Sequence, residues 1–400
     1  MSADHPTPHP LPRLGRGLTA IMAAACGAAV ANIYYNQPML GIIARDFPGG
    51  ATIGLIPTTT QVGYAAGLLL LVPLGDLMDR RRLIVLQFLI LGLALAAAAL
   101  APHPLVLAGA SLLVGMTATV AQQILPLAAT MAAPDRRGGV IGTVMAGLLC
   151  GILLSRTVAG FVATAAGWRA MFWLAVPLAL MFAAILAVAL PRRAHAGPAS
   201  IRYGSALASL LHLWRTLPVL RRATLTQAGL FGSFIAFWTV LALHLQSYGL
   251  GADIAGLFGV LGAVGVVAAP LAGRLADRRG PGLVITLGAL MTLLSWVLFG
   301  LADGIWGLVV GVILLDFGVQ SAMVSHQHIV YALNPEARNR INTIYMTGMF
   351  IGGSAGSAAA TAVWGLGGWT AVSAVGGLFA LLSLGLRLAT RGKAGAPCLS

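Results

Sequence analysis

Two charges lie deep inside long apolar runs of the chain: Arg156, within 140–166, and Asp316, within 305–330. A charged side chain at the centre of a lipid-facing helix costs about 2.5–3.5 kcal/mol on insertion scales, so each needs water or a partner. Arg156 sits near the middle of its run, where its stem cannot easily carry the charge to either surface. A guanidinium in that position can hold an anionic group or, if the two are neighbours, attract Asp316. Asp316 can exchange a proton as its access to water changes, which makes it the candidate group for coupling protons to a conformational change. A structural ion pair is the packing alternative for both.

Polar residues recur around these charges at helical spacing. At 100° per residue, Gln320 lies about 40° and Gln327 about 20° from Asp316, a polar stripe on an apolar helix. Lipid offers such a stripe no partners, so it is expected to line a cavity. His326 and His328 fall off the stripe, toward one end of the run. Asn32, Asn36 and Met39 share a face with Tyr35 on its flank, and the polar run ending at Pro38 is expected to interrupt the helix and line a cavity. Tyr34 and Gln37 in the same run are weaker candidates. Gln61 with Tyr64, Gln227 with Phe231, Phe234 and Trp238, and Asn342 with Tyr345, Met346 and Met349 form further mixed faces. Aromatic stripes of this kind serve packing more often than binding. Cys26 and Cys150 sit in apolar runs and Cys398 near the end, with no metal spacing or disulfide framework.

The elements that must position these residues follow from composition. Only 8% of the 400 residues are charged, 58% are hydrophobic and 51 are glycine, with a mean hydropathy of +0.91. Soluble domains carry about 25% charged residues, so lipid is the solvent of this chain. Continuous apolar runs of roughly 20 residues indicate helices rather than the short alternating strands of a barrel. Twelve spans are expected, at about 18–43, 54–75, 83–101, 105–131, 140–166, 169–190, 220–247, 254–273, 282–301, 305–330, 341–366 and 369–389. The polar stretch 191–219, with Arg192, Arg193, His195, Arg202, Arg215 and Pro218, divides them into two sets of six. Ala23-Ala24-Ala25-Cys26 loosely imitates a lipoprotein cleavage site, but the apolar run continues past it, as in a retained helix.

The net charge of +14 is topology rather than a nucleic-acid footprint. With both ends of the chain inside, every Lys and Arg except Arg45, Arg156 and Arg169 falls in a cytoplasmic segment, the positive-inside pattern.

The two sets of six repeat. Gly75-Asp76-Leu77-Met78-Asp79-Arg80 recurs as Gly273-Arg274-Leu275-Ala276-Asp277-Arg278. At an offset of 201, Pro134-Asp135 with Arg137 recurs as Pro335-Glu336 with Arg338, and Gly167-Trp168 as Gly368-Trp369. Met145-Ala146-Gly147 and Gly151 likewise match Met346-Thr347-Gly348 and Gly352. Six spans per unit make the copies parallel, related by an axis along the membrane normal. The same offset sets Asp316 against Gly115, with Gln122 about 20° from it and Gln123 less well placed. Gly147, Gly151 and the run Gly352-Gly353-Ser354-Ala355-Gly356 read as close helix contacts.

At the loops after the second and eighth spans the chain resembles the major facilitator superfamily. Gly273-Arg274-Leu275-Ala276-Asp277-Arg278-Arg279-Gly280 is close to that family's loop motif. The first copy, ending Asp79-Arg80-Arg81-Arg82, lacks two residues, including a Gly, before the final basic pair. The stretches Asn32-Ile33-Tyr34-Tyr35-Asn36-Gln37-Pro38, Pro73-Leu74-Gly75-Asp76, Asp316-Phe317-Gly318-Val319-Gln320 and Arg340-Ile341-Asn342-Thr343-Ile344-Tyr345-Met346 are similar to bacterial drug or sugar (arabinose-type) efflux permeases. Two departures weaken drug–proton antiport: Ser111 stands where many proton-coupled exporters have Arg, and Gly151–Arg156 lacks the Gly-Pro element of drug antiporters.

The resemblance implies an all-α integral membrane protein of twelve transmembrane helices in two parallel six-helix repeats. Residues 1–190 would form one bundle, 191–219 a cytoplasmic linker and 220–400 the second bundle with a short tail. The expected function is secondary transport of a small organic solute, as proton-coupled efflux; proton-coupled uptake of a small polar or anionic metabolite is the alternative. The expected cavity residues are Arg156, Gln320, Gln327, Asn32, Asn36, Tyr35, Gln122, Gln61, Trp238 and Tyr345, with Asp316 for the proton. Gly75, Asp76, Asp79, Arg80, Gly273, Arg274, Asp277 and Arg278 are expected to gate by capping or pairing across cytoplasmic helix ends. A monomer in a bacterial inner membrane is expected, with no cofactor, metal or nucleic acid. No phosphate-binding loop, metalloprotease helix motif or nucleophile elbow is present, which disfavours an ATP-driven pump and an enzyme.

Overall fold

The computed structural model describes residues 15–48, 51–191, 203–262, 264–302, 304–334 and 336–389. Arg13, Arg192, Arg193, His195, Arg202, Pro335, Arg391, Lys393 and Cys398, which entered the topology reading, lie outside these residues. The described residues are helical throughout, without strands.

Among the described residues, ten helices are long and apolar enough to cross a bilayer. Spans 1 to 7 are Arg16–Asp46, Thr52–Asp76, Arg80–Ala99, Pro104–Met131, Arg137–Ala166, Trp168–Ala189 and Pro218–Ser247. Span 9 is Pro281–Leu301 and span 10 is Ile305–Ala332. The last of the ten, Arg338–Ala389, is broken at Gly367 and Gly368 into spans 11 and 12. Span 8 comes in two pieces, Ala252–Leu261 and Val264–Arg279, which completes the expected twelve.

The breaks fall where the chain loses helical propensity or gains a close neighbour. Span 1 is helical over Arg16–Ala31, turns through 32–35 and restarts at Asn36, as the polar run before Pro38 predicted. Span 4 is interrupted between Ala118 and Ala121. Span 2 leaves the α-helix after Leu70 and passes through a short 3₁₀ turn, Pro73–Asp76. Gln123 of span 4 covers this exit by donating to the Leu71 and Val72 carbonyls at 2.8 and 3.2 Å.

Glycine contacts repeat with the sequence. A Cβ on Gly147 or Gly151 of span 5 would strike the carbonyls of Ala23 and Gly27 in span 1. In the second half, Gly352 and Gly356 of span 11 meet Ala228 and Gly232 of span 7 in the same way. Small residues let these helix backbones touch where lipid provides no hydrophobic drive between them. At the other end of each repeat, Gly167 and Gly368 take φ values of 81° and 56°. Each precedes a Trp whose indole nitrogen donates across the bundle, Trp168 to Asp46 Oδ2 at 2.8 Å and Trp369 to the Phe299 carbonyl at 2.7 Å.

The stretch 191–219 is less loop-like than its charges suggested. Tyr203–Thr216 is a helix, and Leu207, Leu210, Leu213, Trp214 and Leu217 recur on the face that packs against Leu220, Ala223, Val330, Ile341 and Tyr345 of the second half. Its first residue reaches back to the first half, where Tyr203 donates to the Leu70 carbonyl at 2.9 Å.

Candidate substrate and proton site between the two halves

A cavity of about 750 Å³ opens among the arginine-bearing loops. Asp76, Arg80, Glu336, Arg338 and Arg340 edge it, and Leu68, Gln122 and Gln123 lie on its wall. At the opposite end the halves meet directly. Thr58 of span 2 donates to Ser357 of span 11 at 3.0 Å, and Thr157 of span 5 to the Gly256 carbonyl of span 8 at 3.0 Å. The Asp253 amide donates to Thr164 Oγ1 at 3.2 Å. Gly41 of span 1 lies against the Gln246 side chain of span 7. The molecule is therefore closed at one end and open at the basic end.

Arg156 lies at the seam. It is 4% exposed, and its guanidinium stacks 4.5 Å from the Tyr34 ring of span 1 and 4.0 Å from the Trp238 ring of span 7. Two π systems thus face the guanidinium, a favourable position for a desolvated cation. One edge donates through Nε to Gln37 Oε1 at 2.8 Å, while Nη2 is buried without a partner. The Trp238 indole nitrogen is also buried and unpartnered.

Asp316 is 5% exposed, and its Oδ2 has no hydrogen-bond partner. It is near enough to Arg156 for the charges to attract, but no direct ion pair joins them. Span 8 explains the placement. A Cβ on Gly259 would sit 2.9 Å from Arg156 Cβ, and one on Gly262 would sit 3.3 Å from Asp316 Oδ1. The two charges therefore flank positions three residues apart on one helix, about one turn. Gly265 carries the pattern on, facing the Gln320 side chain. The stripe of Asp316 and Gln320 packs against the glycines where span 8 is interrupted.

The other expected residues divide into groups. Asn36 donates to Thr60 at 2.8 Å, and Gln122 to the Tyr64 hydroxyl at 3.2 Å, tying spans 1 and 4 to span 2. Tyr64 lies 4.3 Å from the Phe350 ring, which continues through Phe231 and Phe234 to Trp238. This aromatic chain crosses from one half to the other and ends at Arg156. Gln61 is buried with neither amide atom partnered, and Tyr35 is buried beside the span 1 break. Asn32 turns back on its own helix, donating to the Ala28 carbonyl at 2.6 Å.

Gln327 is half-buried, and the site does not gather it. Tyr345 is fully buried away from the seam and donates to the Met323 carbonyl at 3.4 Å behind the linker helix. His326 is buried 3.1 Å from Gln227, whereas His328 is exposed.

Sequence reasoning ranked Tyr34 and Gln37 below their neighbours, yet they are the span 1 residues that hold Arg156. Tyr34 lies in the turn and Gln37 in the helix that restarts after it, so the break itself aims both at Arg156.

The loop motifs differ from each other. Asp79 caps span 3, accepting from the Arg81 and Arg82 amides at 2.9 and 3.2 Å. Asp76 pairs with Arg80 at 2.9 Å, and Arg80 Nε donates to the Gly75 carbonyl at 3.0 Å. Arg81 reaches the Ala187 carbonyl at the end of span 6. In the second copy Gly273 lies within a helix that runs to Arg279, while Arg274, Asp277 and Arg278 are exposed.

Comparison with known proteins agrees with this architecture. The family model for the Major Facilitator Superfamily matches residues 19–327 and 266–397. The putative uncharacterized transporter YgaY of Escherichia coli strain K12 is 40% identical over 378 residues, 93% of this chain and 95% of that protein. The probable transporter SCO4007 of Streptomyces coelicolor is 36% identical, over 90% of this chain and 85% of that one. Among solved structures, a bacterial homologue of the human lysosomal transporter Spinster, inward-facing and occupied, superposes with a TM-score of 0.76 at 13% identity, covering 94% of this chain and 96% of that chain. The peptide transporter POT in complex with sulfate superposes at 0.74 with 14% identity, covering 96% of each chain. At these identities the structural likenesses establish the fold alone. With the family model spanning the chain and relatives of 36–40% identity over nearly all of it, this protein belongs to the Major Facilitator Superfamily and is a multi-pass membrane transporter rather than an enzyme.

Proposed function

We propose that this transporter moves a small organic solute by alternating access, with Asp316 carrying the coupling proton and efflux the working direction. The observation that carries this reading is Asp316 itself, a buried carboxylate with one oxygen unpartnered, set against Gly262 where span 8 is interrupted. A neutral form is the cheaper one in such surroundings, and a charged form becomes tolerable once water or a cation reaches it. Rocking of one half against the other alternates those surroundings, which is how a proton gradient would bias the motion.

The cavity at the basic end is the inward mouth on this reading, because the positive-inside rule puts those loops and both termini in the cytoplasm of a bacterial inner membrane. The working unit is a monomer divided at 1–190, 191–219 and 220–400. Arg156, Trp238, Gln320, Gln61, Gln122, Asn36 and Tyr35 line the solute path. Efflux rests on the resemblance to bacterial efflux permeases; uptake by symport would use the same Asp316 and reverse the direction.

The test needs a solute first. A ligand that favours the folded state raises its apparent stability, so thermal shift of purified protein identifies candidates. In proteoliposomes Asp316→Asn is then expected to retain exchange of the solute and to lose accumulation driven by a proton gradient. Undiminished gradient-driven accumulation by Asp316→Asn would remove this carboxylate from the coupling role.

A further inference from the structure

The surroundings of Arg156 specify more than a buried charge. Its guanidinium lies over the Tyr34 and Trp238 rings, Nε is taken by Gln37, and Nη2 is left without a partner for a further ligand. In-plane approach to a guanidinium edge is the geometry of carboxylate recognition, in which two N–H groups meet two oxygens. The Trp238 indole nitrogen is a second buried donor without an acceptor on the same residue that covers the cation. A buried guanidinium lacking a direct anionic partner is costly, and here Asp316 does not close the pair.

Charge number narrows the ligand. One cation with a carboxylate nearby balances at most one negative charge, so a dianion such as phosphate is poorly matched. The body of the ligand is set by the aromatic chain Trp238, Phe234, Phe231, Phe350 and Tyr64, which leads away from Arg156 across the seam. The rings are packed against one another at 4.3–6.1 Å, an apolar column with little hydrogen bonding that a ligand body would meet as the halves part.

We propose that Arg156 docks the carboxylate of a monoanionic organic acid whose apolar or aromatic body lies along this ring chain. The assignment rests on the transport reading above for what becomes of the acid, but the binding site itself does not require it. Gln37 is then a positioning residue that fixes the guanidinium edge, and Trp238 supplies both a covering face and a donor.

The experiment compares acids with their neutral amides on the purified full chain: benzoate, 3-phenylpropionate, indole-3-acetate and hexanoate, each beside its amide, with inorganic phosphate as a control. At least one acid is expected to bind on the order of tenfold more tightly than its amide, and phosphate to have no effect. Arg156→Lys is expected to abolish most of that preference, because the charge remains and the planar fork is lost. The proposal is overturned if no acid exceeds its amide on the wild-type protein, a comparison that needs no variant to fold. It is equally overturned if Arg156→Lys keeps the full preference. Acid binding without counterflow of the same acid in proteoliposomes would leave the Arg156 site standing and remove the transport reading instead.

Discussion

Spans 2 and 4 of the first half correspond to spans 8 and 10 of the second, yet the two pairs meet differently. In the first half, Gly115 of span 4 lies flush against the Thr60 carbonyl of an unbroken helix, Leu55–Leu70. In the second, the matching position is Asp316, and its neighbour on the partner span is Gly262, in a turn just past the helix that ends at Leu261. The absent side chain at Gly262 leaves the space that the carboxylate occupies. The two copies of the repeat thus hold a buried carboxylate at this position in one half and a tight backbone contact in the other.

The loop motifs diverge for a related reason. The second copy contains Gly280, whose φ of 83° lets span 8 stay helical to Arg279 and turn at once into Pro281, the first residue of span 9. The first copy lacks a glycine at that point. Its chain leaves the α-helix after Leu70, and Asp79 starts span 3 by capping the Arg81 and Arg82 amides. One copy ends its helix through backbone freedom, the other through a side-chain cap.

The largest expected effect comes from forcing the first half to imitate the second. Gly115→Asp would press a Cβ into the Thr60 carbonyl and bury a carboxylate with no room for it, so no monodisperse protein is expected by size exclusion. Asp316→Gly should remain folded, since it removes a buried carboxylate whose Oδ2 has no partner and introduces no clash. A folded Gly115→Asp with an unchanged melting midpoint would contradict the backbone contact between spans 2 and 4.

Gly280→Ala should destabilise by about 1–3 kcal/mol, the penalty for a Cβ in a backbone region that favours glycine. Its thermal unfolding should begin well below that of the wild-type protein in the same detergent. Asp79→Ala should cost about 0.5–2 kcal/mol through the lost cap, read in the same assay. Asp277→Ala should stay within about 0.5 kcal/mol, since this exposed carboxylate has no structural partner to lose. Equal effects of the two aspartates would show that the motifs do the same mechanical work.

Much of this architecture is legible in the chain. Run length and punctuation place the spans within a few residues, and Pro38 with its polar neighbours marks the break in span 1. The 201 offset anticipates the paired glycine contacts of spans 5 and 11. What stays hidden is which helix a given face meets. A helical wheel orients Arg156 on span 5, but nothing local connects it to Tyr34, Gln37 and Trp238 on two other spans. Tyr345 shows the converse, a polar face that points into packing behind the linker helix. That helix was obscured by its charges, although its leucines recur at the spacing of an amphipathic face.

The backbone contacts at Gly151 and Gly352 bear on stiffness. Where carbonyl meets Cα there is no rotamer to yield, so spans 1 with 5 and 7 with 11 resist both sliding and twisting. Spans 5 and 8 repeat this kind of contact across the halves, with Gly160 against the Ala252 carbonyl and Gly256 against the Arg156 carbonyl. Parting that end must therefore separate backbone from backbone, whereas Thr58 with Ser357 and the guanidinium of Arg156 can re-pair one side chain at a time. The closed end thus works as a stiff latch between two stiff levers, and a ligand that loosens it acts on both.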